Sequence, residues 1–314
     1  MQPTLDTRRI TVFLLFAFGI AWATGLVIYL TGGLADSLLL VDTAVFQLRL
    51  ATVLMATVYM FAPALAHVFT RLITREGWAD VWLRPHFRRG WGFWALAWVL
   101  PALLTILGGI VYFGLFPQHF DANLGPLQAM LDAQSAQLGQ EIELPFPLVV
   151  LVLLQVGQAI LLAPLINSLF TFGEEFGWRG YLQPKLVGLG WRKAMIVMGV
   201  IWGVWHWPVI FMGYEYGFEY PGAPWLGPLV FLWFTFVAGT FLGWLTVKGR
   251  SVWPAVIGHA AINGITALPI LFVQGTPNPL LGPLPNGLIG SLGFSVVALW
   301  MFLKDPTERV TSNE

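Results

Sequence analysis

The 314-residue sequence contains no cysteine, carries little charge and has no net charge. Without cysteine, the chain can form no disulfide, no thiolate metal site and no cysteine nucleophile. Its 16 Lys and Arg balance 16 Asp and Glu, so the overall charge gives no reason to expect nucleic-acid binding. The chain is rich instead in apolar residues, with 57% hydrophobic residues and a mean hydropathy of +0.73. This composition is typical of an integral membrane protein.

Eight apolar segments are long enough, or nearly long enough, to cross a bilayer as helices. The alternating pattern of membrane β-strands is absent, and a helix satisfies its backbone hydrogen bonds internally. We therefore predict an all-α integral membrane protein with eight transmembrane helices, forming a single polytopic membrane domain over residues 1–314. The predicted spans cover residues 10–30, 48–72, 92–116, 147–172, 193–212, 226–247, 252–273 and 287–303.

The basic residues predict the orientation of these spans. Fifteen of the 16 Lys and Arg fall on one side of the predicted helices, and only Arg49 falls on the other. Because short cytoplasmic loops carry an excess of Lys and Arg, we predict that the N- and C-termini are cytosolic. On the opposite side, the acidic loop 117–146 has leucines at near-helical spacing, which predicts a short amphipathic helix. We expect a multi-pass protein of a prokaryotic plasma membrane, in contact with membrane lipid.

Three ionisable residues, Glu174, Glu175 and Arg179, lie at the end of the fourth apolar run. A charged side chain in hydrocarbon costs about 2.5–3.5 kcal/mol on insertion scales, so a functional role is the first candidate. Glu175 and Arg179 are four residues apart and share a helix face, which favours an ion pair. Glu174 is turned away by about 100° and is available for another role. The simpler interpretation is an interfacial salt bridge near the helix end.

Two further polar sets lie within predicted spans. His206 lies in the fifth span, with Trp202 on the same face and Pro208 placed to bend the helix beside it. His259 and Asn263 are four residues apart in the seventh span and also share a face. Each residue alone would be read as a helix–helix hydrogen-bonding group. Together with the acidic pair, these sets supply a carboxylate, two imidazoles and an amide at compatible depths, which indicates one site.

Other polar residues of the spans have no such grouping. His67 lies in the second predicted span, and Gln155, Gln158 and Asn167 lie in the fourth. We predict that these side chains make helix–helix hydrogen bonds or line a polar cavity.

The three polar sets resemble the motifs of the CAAX protease and bacteriocin-processing family, intramembrane glutamate proteases related to the CAAX prenyl endopeptidases. The pattern of that family is E-E-x-x-x-R, then F-x-x-x-H, then H-x-x-x-N or H-x-x-x-D, in a fold of eight spans. In this sequence the three motifs are Glu174-Glu175-Phe176-Gly177-Trp178-Arg179, Trp202-Gly203-Val204-Trp205-His206 and His259-Ala260-Ala261-Ile262-Asn263.

The resemblance implies an intramembrane endopeptidase with a catalytic core at about residues 147–273. Glu174, assisted by His206, would activate a water molecule that attacks a peptide carbonyl. His259 and Asn263 would donate hydrogen bonds to the developing oxyanion. The cavity would open to the cytosol, and the substrate would be a membrane-associated, prenylated or otherwise lipophilic peptide or protein.

The remaining motif residues, Glu175, Arg179 and Trp202, would support this centre. Tryptophan in place of the family's phenylalanine is expected to change only the fine shape of the pocket.

No cofactor is expected, since the resemblance favours a metal-free mechanism. If the enzyme needs a metal, zinc is the candidate, with Glu174, His206 and His259 as ligands.

Two functions outside proteolysis stay open at this point. A non-catalytic membrane scaffold of the same fold would keep the motifs for packing alone. A proton-coupled transporter would use Glu174 and the histidines as a relay. It would need a polar path to the outer side and often shows inverted repeats, and the sequence has neither feature.

Overall fold

The structure is a computed structural model that describes residues 5–43 and 46–306. Residues 1–4 and 307–314, the ends that we predict to be cytosolic, lie outside the described residues, as does Arg309. The described chain is mostly helical, with one short antiparallel hairpin. In chain order its α-helices and strands are α1 (Thr7–Leu30), α2 (Gly33–Asp36), β1 (Leu39–Asp42), β2 (Gln47–Arg49), α3 (Leu50–Leu54), α4 (Ala62–Ile73), α5 (Phe87–Leu115), α6 (Gly125–Leu138), α7 (Leu148–Leu161), α8 (Ala163–Gly177), α9 (Gln183–Leu186), α10 (Trp191–Trp205), α11 (Trp207–Ile210), α12 (Leu226–Gly249), α13 (Trp253–Ile265) and α14 (Leu292–Leu303).

Short turns of other helical types extend several of these elements. A π-helical turn follows α3 on the way to α4, and another connects α8 to α9. Turns of 3₁₀ helix follow α5, α9 and α13. The π turns are Met55–Tyr59 and Trp178–Leu182, and the 3₁₀ turns are Pro117–His119, Val187–Leu189 and Leu268–Phe272.

Five helical segments are long and apolar enough to cross a membrane, and α7 with α8 would form a sixth span, bent by 45°. The mostly helical, membrane-spanning architecture predicted from composition is therefore confirmed. Eight spans are not confirmed, because the fifth and eighth predicted segments contain only shorter helices, α10 with α11 and α14. The five continuous segments are Thr7–Leu30, Leu50–Ile73, Gly90–Leu115, Leu226–Gly249 and Trp253–Phe272.

Prolines interrupt two of these predicted spans, and neighbouring side chains bind the carbonyls that are left free. Pro164 has no N–H to give to the carbonyl of Ile160, which accepts a hydrogen bond from Trp98 Nε1 at 2.6 Å. The fifth segment breaks at His206, just before Pro208, as the sequence predicts. The breaks thus cost few hydrogen bonds.

The basic segments of the chain meet at one end of the helical bundle. Glu76, which follows α4, forms ion pairs with Lys185 and Arg9. Lys248 Nζ, near the end of α12, donates to the carbonyl of Pro306 at 3.2 Å. The ends of α1, α4 and α9 therefore lie together, and the ends of α12 and α14 lie together beside the start of α10.

The predicted outer segment 117–146 contains α6. Leu124, at its N-cap, and Leu127 are buried, and Leu131 and Leu138 are half-buried on the same side of the helix. Its other face is exposed. The leucine spacing noted in the sequence thus corresponds to the covered face of this helix.

Close packing of α8 against α4 positions the acidic pair. A Cβ atom at Gly177 would lie 2.4 Å from backbone atoms of Pro63, so only glycine fits there. The two helices therefore approach closely just after Glu174 and Glu175, and both carboxylates are buried.

Candidate active site

A cavity lies among α8, α10, α12, α13 and the π turn Met55–Tyr59. All four residues predicted to be catalytic line it: Glu174, His206, His259 and Asn263. Its volume is ≈ 80 Å³, whereas about 10–15 Å³ is enough for one water molecule. The structure thus brings together, in one space able to hold water, residues that are up to 89 positions apart (174 to 263).

Glu174 lies in the last turn of α8, and its side chain is held by Trp202. The indole Nε1 of Trp202 donates to Glu174 Oε2 at 2.8 Å. The described residues make no hydrogen bond to the other carboxylate oxygen, Oε1. Phenylalanine could not make this contact. Trp202 therefore does more than shape the pocket, which was the only effect predicted from the sequence. It fixes the carboxylate and leaves one oxygen available to the cavity.

Glu175 and Arg179 form the ion pair predicted from their spacing, with 2.9 Å between Nη1 and Oε1. Both side chains are fully buried, and the Arg179 guanidinium lies 4.5 Å from the centre of the Trp202 ring. The same Glu175 oxygen is 2.8 Å from His259 Nδ1, a contact that the sequence did not predict. Arg179 lies in the π turn after α8, a kind of turn that often marks functional sites.

Within the described residues, each of the two cavity histidines uses only one ring nitrogen in a hydrogen bond. His206 Nδ1 is 2.8 Å from the carbonyl of Trp202, and because a carbonyl only accepts, Nδ1 carries the hydrogen. His259 Nδ1 donates in the same way to the Glu175 carboxylate. Within the part of the chain that the structure describes, neither Nε2 has a hydrogen-bond partner. Each ring therefore offers a nitrogen for chemistry in the cavity.

A helix break places His206 beside the cavity. It lies between α10 and α11, so the carbonyl of Trp205 is not used within the helix. That carbonyl accepts hydrogen bonds from the Tyr59 hydroxyl at 2.6 Å and from Trp22 Nε1 at 3.3 Å. The break is thus tied to α1 and to the π turn that precedes α4, which fixes the histidine's position.

The cavity also contains residues to which the sequence analysis gave no role. Tyr214 and Glu215, from the loop between α11 and α12, line it together with Tyr59. Tyr214 and Asn263 are the exposed lining residues, so the cavity meets its surroundings there. We predicted an opening on the basic side of the protein, but the lining runs to a loop at the opposite end of the bundle. No motif spacing links Glu215 to the other residues, which explains why it was missed.

Glu215 has an unusual environment for a loop carboxylate. The residue is half-buried, and its carboxyl group accepts a hydrogen bond from Asn286 Nδ2 at 2.8 Å. Burial raises the pKa of Glu215 to about 7, and the hydrogen bond from Asn286 opposes this rise. The loop lies outside the candidate membrane spans.

A metal site requires several donor atoms directed at one point. Among residues 5–43 and 46–306, no group of three or more His, Asp and Glu side chains is arranged to hold a metal ion. Glu174, His206 and His259 line one cavity, but each already has one polar atom bonded within the protein. The Nε2 atoms and one carboxylate oxygen are the donors still available to an ion.

The fold and the cavity define a helical integral membrane protein with a buried acid–imidazole site. Residues 146–265 match the family described as Type II CAAX prenyl endopeptidase Rce1-like. All three motifs lie within this match, so the family resemblance predicted from them is confirmed.

One curated relative has a similar sequence over part of its length. The chain is 37% identical over 93 residues to CAAX prenyl protease 2 of Methanococcus maripaludis. The aligned residues make up 29% of this chain and 34% of that protein. The match thus spans about a third of the relative.

Proposed function

We propose that the protein is an intramembrane endopeptidase that hydrolyses a peptide bond with a water molecule activated by Glu174. The observation that carries this proposal is the convergence of Glu174, His206, His259 and Asn263 on one water-sized cavity. The family match supports proteolysis as the reaction class. The substrate is a membrane-associated or lipophilic peptide or protein, prenylated or not.

The proposed base is Glu174, whose free Oε1 accepts a proton from water in the cavity. Trp202 holds Oε2, so the carboxylate keeps one orientation during the attack. His206 Nε2 is an acceptor in the neutral ring and aligns the same water. The resulting hydroxide adds to the peptide carbonyl. Glu174 then returns the proton to the leaving nitrogen as the C–N bond breaks.

His259 and Asn263 are the proposed donors to the oxyanion of the tetrahedral intermediate. Glu175 accepts from His259 Nδ1, so a protonated ring would present Nε2–H to the cavity. The Asn263 amide makes no hydrogen bond within the described residues and is available as a second donor. Each preorganised donor of this kind is worth about 2.7–4 kcal/mol in known oxyanion holes.

We further propose that the chain crosses the membrane eight times with both termini in the cytosol. The bent pair α7–α8, the broken pair α10–α11 and the short helix α14 would then be three of the crossings. Support comes from the basic segments, which lie together at one end of the bundle. Substrate would enter from the opposite end, beside Tyr214.

A metal-free reaction is our proposal, and zinc bound by Glu174, His206 and His259 is its competitor. Zinc sites take three protein ligands and one water in catalytic centres. Incubation of the purified protein with a chelator should leave cleavage unchanged. Loss of activity that returns with added zinc would instead support the metalloprotease.

The decisive experiment replaces Glu174 by glutamine, which keeps the size of the side chain and removes the base. We expect cleavage to fall by about 10²–10⁴-fold, with expression and melting temperature close to those of the parent. Membrane fractions from cells with either protein are compared by mass spectrometry for a peptide that is no longer cut. Glu141→Gln, an exposed loop carboxylate, is the matched control. Normal biological output from Glu174→Gln would favour the non-catalytic scaffold, and loss of proton-coupled uptake would favour the transporter.

A further inference from the structure

The loop between α11 and α12 supplies the active-site cavity with a carboxylate that the proposed reaction does not use. Glu215 lines the same cavity as Glu174 and His206. Its backbone is in the left-handed region, with φ 74°, which is uncommon for a residue with a side chain. Such conformations persist where the surrounding structure holds them, and they cluster at functional sites.

Three hydrogen bonds hold this part of the loop against the segment that precedes α14. Asn286 Nδ2 donates to the Glu215 carbonyl at 3.2 Å and to its Oε2 at 2.8 Å. The Tyr216 hydroxyl donates to the Asn286 carbonyl at 2.8 Å. Asn286 itself is 2% exposed. The carboxylate is therefore held in one position at the edge of the cavity.

Among the described residues, the carboxylate of Glu215 has no counter-charge. No ion pair among the described residues includes it, and its only hydrogen-bond donor is a neutral amide. Enclosing an ionised carboxylate without a cation is costly. In addition, Asn286 Oδ1 is buried without a hydrogen-bond partner. Glu215 Oε1 accepts no hydrogen bond from the described residues, and as part of a carboxylate that lines the cavity it complements an ammonium or guanidinium group.

We infer that Glu215, held in place by Asn286, forms a subsite that binds a lysine or arginine side chain of the peptide substrate, close to the bond that is cleaved. The inference rests on the proposed function, because the subsite and the proposed base share one cavity. Tyr214, exposed at the cavity edge beside Glu215, offers an aromatic surface for the aliphatic part of such a side chain. The substrate class is then a peptide with a basic residue at this position.

The experiment measures which peptides the purified protein cleaves in nanodiscs. A library of fluorogenic peptides varies each residue around the cleaved bond, and matched peptides carry lysine or its uncharged analogue norleucine. We expect lysine and arginine at one position to raise kcat/KM by about 10- to 100-fold over norleucine. Glu215→Gln should remove this preference by raising KM for the lysine peptide, with little change in kcat. Glu219→Gln, an exposed carboxylate of the same loop, is the matched control and should keep the preference.

Binding without cleavage separates the subsite from the reaction. In the Glu174→Gln protein, the lysine peptide should bind about 10- to 100-fold more tightly than the norleucine peptide. This result would support the subsite even if the parent protein cleaved nothing, which would contradict the proposed function alone. Equal cleavage and equal binding of the two peptides would overturn the inference. The parent protein's own preference tests it even if Glu215→Gln fails to fold.

Discussion

Two buried histidines, His67 within α4 and His206 at the break between α10 and α11, differ in their hydrogen bonds. His67 is fully buried in α4, with Nδ1 donating to the Phe176 carbonyl at 2.9 Å. Its Nε2 accepts from Arg71 Nε at 2.6 Å. His206 donates from Nδ1 to the Trp202 carbonyl, and the described residues leave its Nε2 without a partner.

Burial alone therefore does not separate a structural histidine from a reactive one. Both nitrogens of His67 are occupied, and they fix a neutral ring that joins α4 to α8. Arg71 adds a salt bridge to Asp80 and lies over the Tyr181 ring, which extends the same structural network. The free nitrogen of His206, facing a cavity, is the difference that matters for chemistry.

Alanine substitution should affect the two histidines differently: at His206 it should lower activity, and at His67 it should lower stability. His206→Ala should lower kcat/KM by about 10²–10⁴-fold with little change in melting temperature, because it removes a group of the cavity. His67→Ala removes the acceptor of the Arg71 Nε hydrogen bond and the donor to the Phe176 carbonyl, which should cost about 1–3 kcal/mol of stability. Activity per folded molecule should stay near that of the parent. Peptide cleavage and thermal unfolding of the two purified proteins measure both effects, and equal losses in both assays would contradict the distinction.

The buried ion pair behind the cavity should be the most sensitive structural element of the site. Arg179→Met leaves the Glu175 carboxylate enclosed without its cation, which should destabilise the protein by about 3–5 kcal/mol. The double variant Glu175→Gln with Arg179→Met removes both charges and should recover part of this loss. Denaturation of the detergent-solubilised proteins compares the three. A single variant as stable as the parent would show that the pair contributes nothing.

Trp202→Phe tests whether the indole N–H, rather than the ring, matters to Glu174. The change restores the family's usual residue, keeps an aromatic ring beside Arg179 and removes the hydrogen bond to Oε2. A hydrogen bond to a charged group is worth about 1.5–3 kcal/mol, so kcat should fall by about 10- to 100-fold with KM nearly constant. Trp98→Phe, which removes an indole hydrogen bond far from the cavity, is the control. Unchanged kcat in Trp202→Phe would reduce Trp202 to pocket shape, as the sequence analysis expected.

The sequence predicted what depends on local spacing. Four-residue spacing placed Glu175 beside Arg179, and Pro208 predicted the break at His206. Apolar run length predicted a helical membrane protein, but it could not show that proline breaks leave shorter helices in place of full spans. Contacts between segments that are far apart in the sequence could not be predicted either. The bond from His259 to Glu175 depends on how α13 packs against α8, which no spacing within one helix reveals.

The role of Glu215 was unpredictable for the same reason, and pH offers the finest test of it. Binding of a lysine side chain needs the ionised carboxylate, whose pKa is about 7. Tyr214 and Tyr216 face the same group. The Glu215 charge raises the pKa of Tyr214, and burial together with that charge raises the pKa of Tyr216, so both stay neutral near pH 7.

The ratio of kcat/KM for lysine and norleucine peptides should therefore rise with pH by up to about tenfold per unit below pH 7 and level off above it. Taking the ratio cancels any effect of pH on the cleavage step itself, because that effect acts on both peptides. Glu215→Gln should give a flat ratio across this range. A ratio that falls with rising pH, or one that rises equally in Glu215→Gln, would place the cation on another group of the cavity.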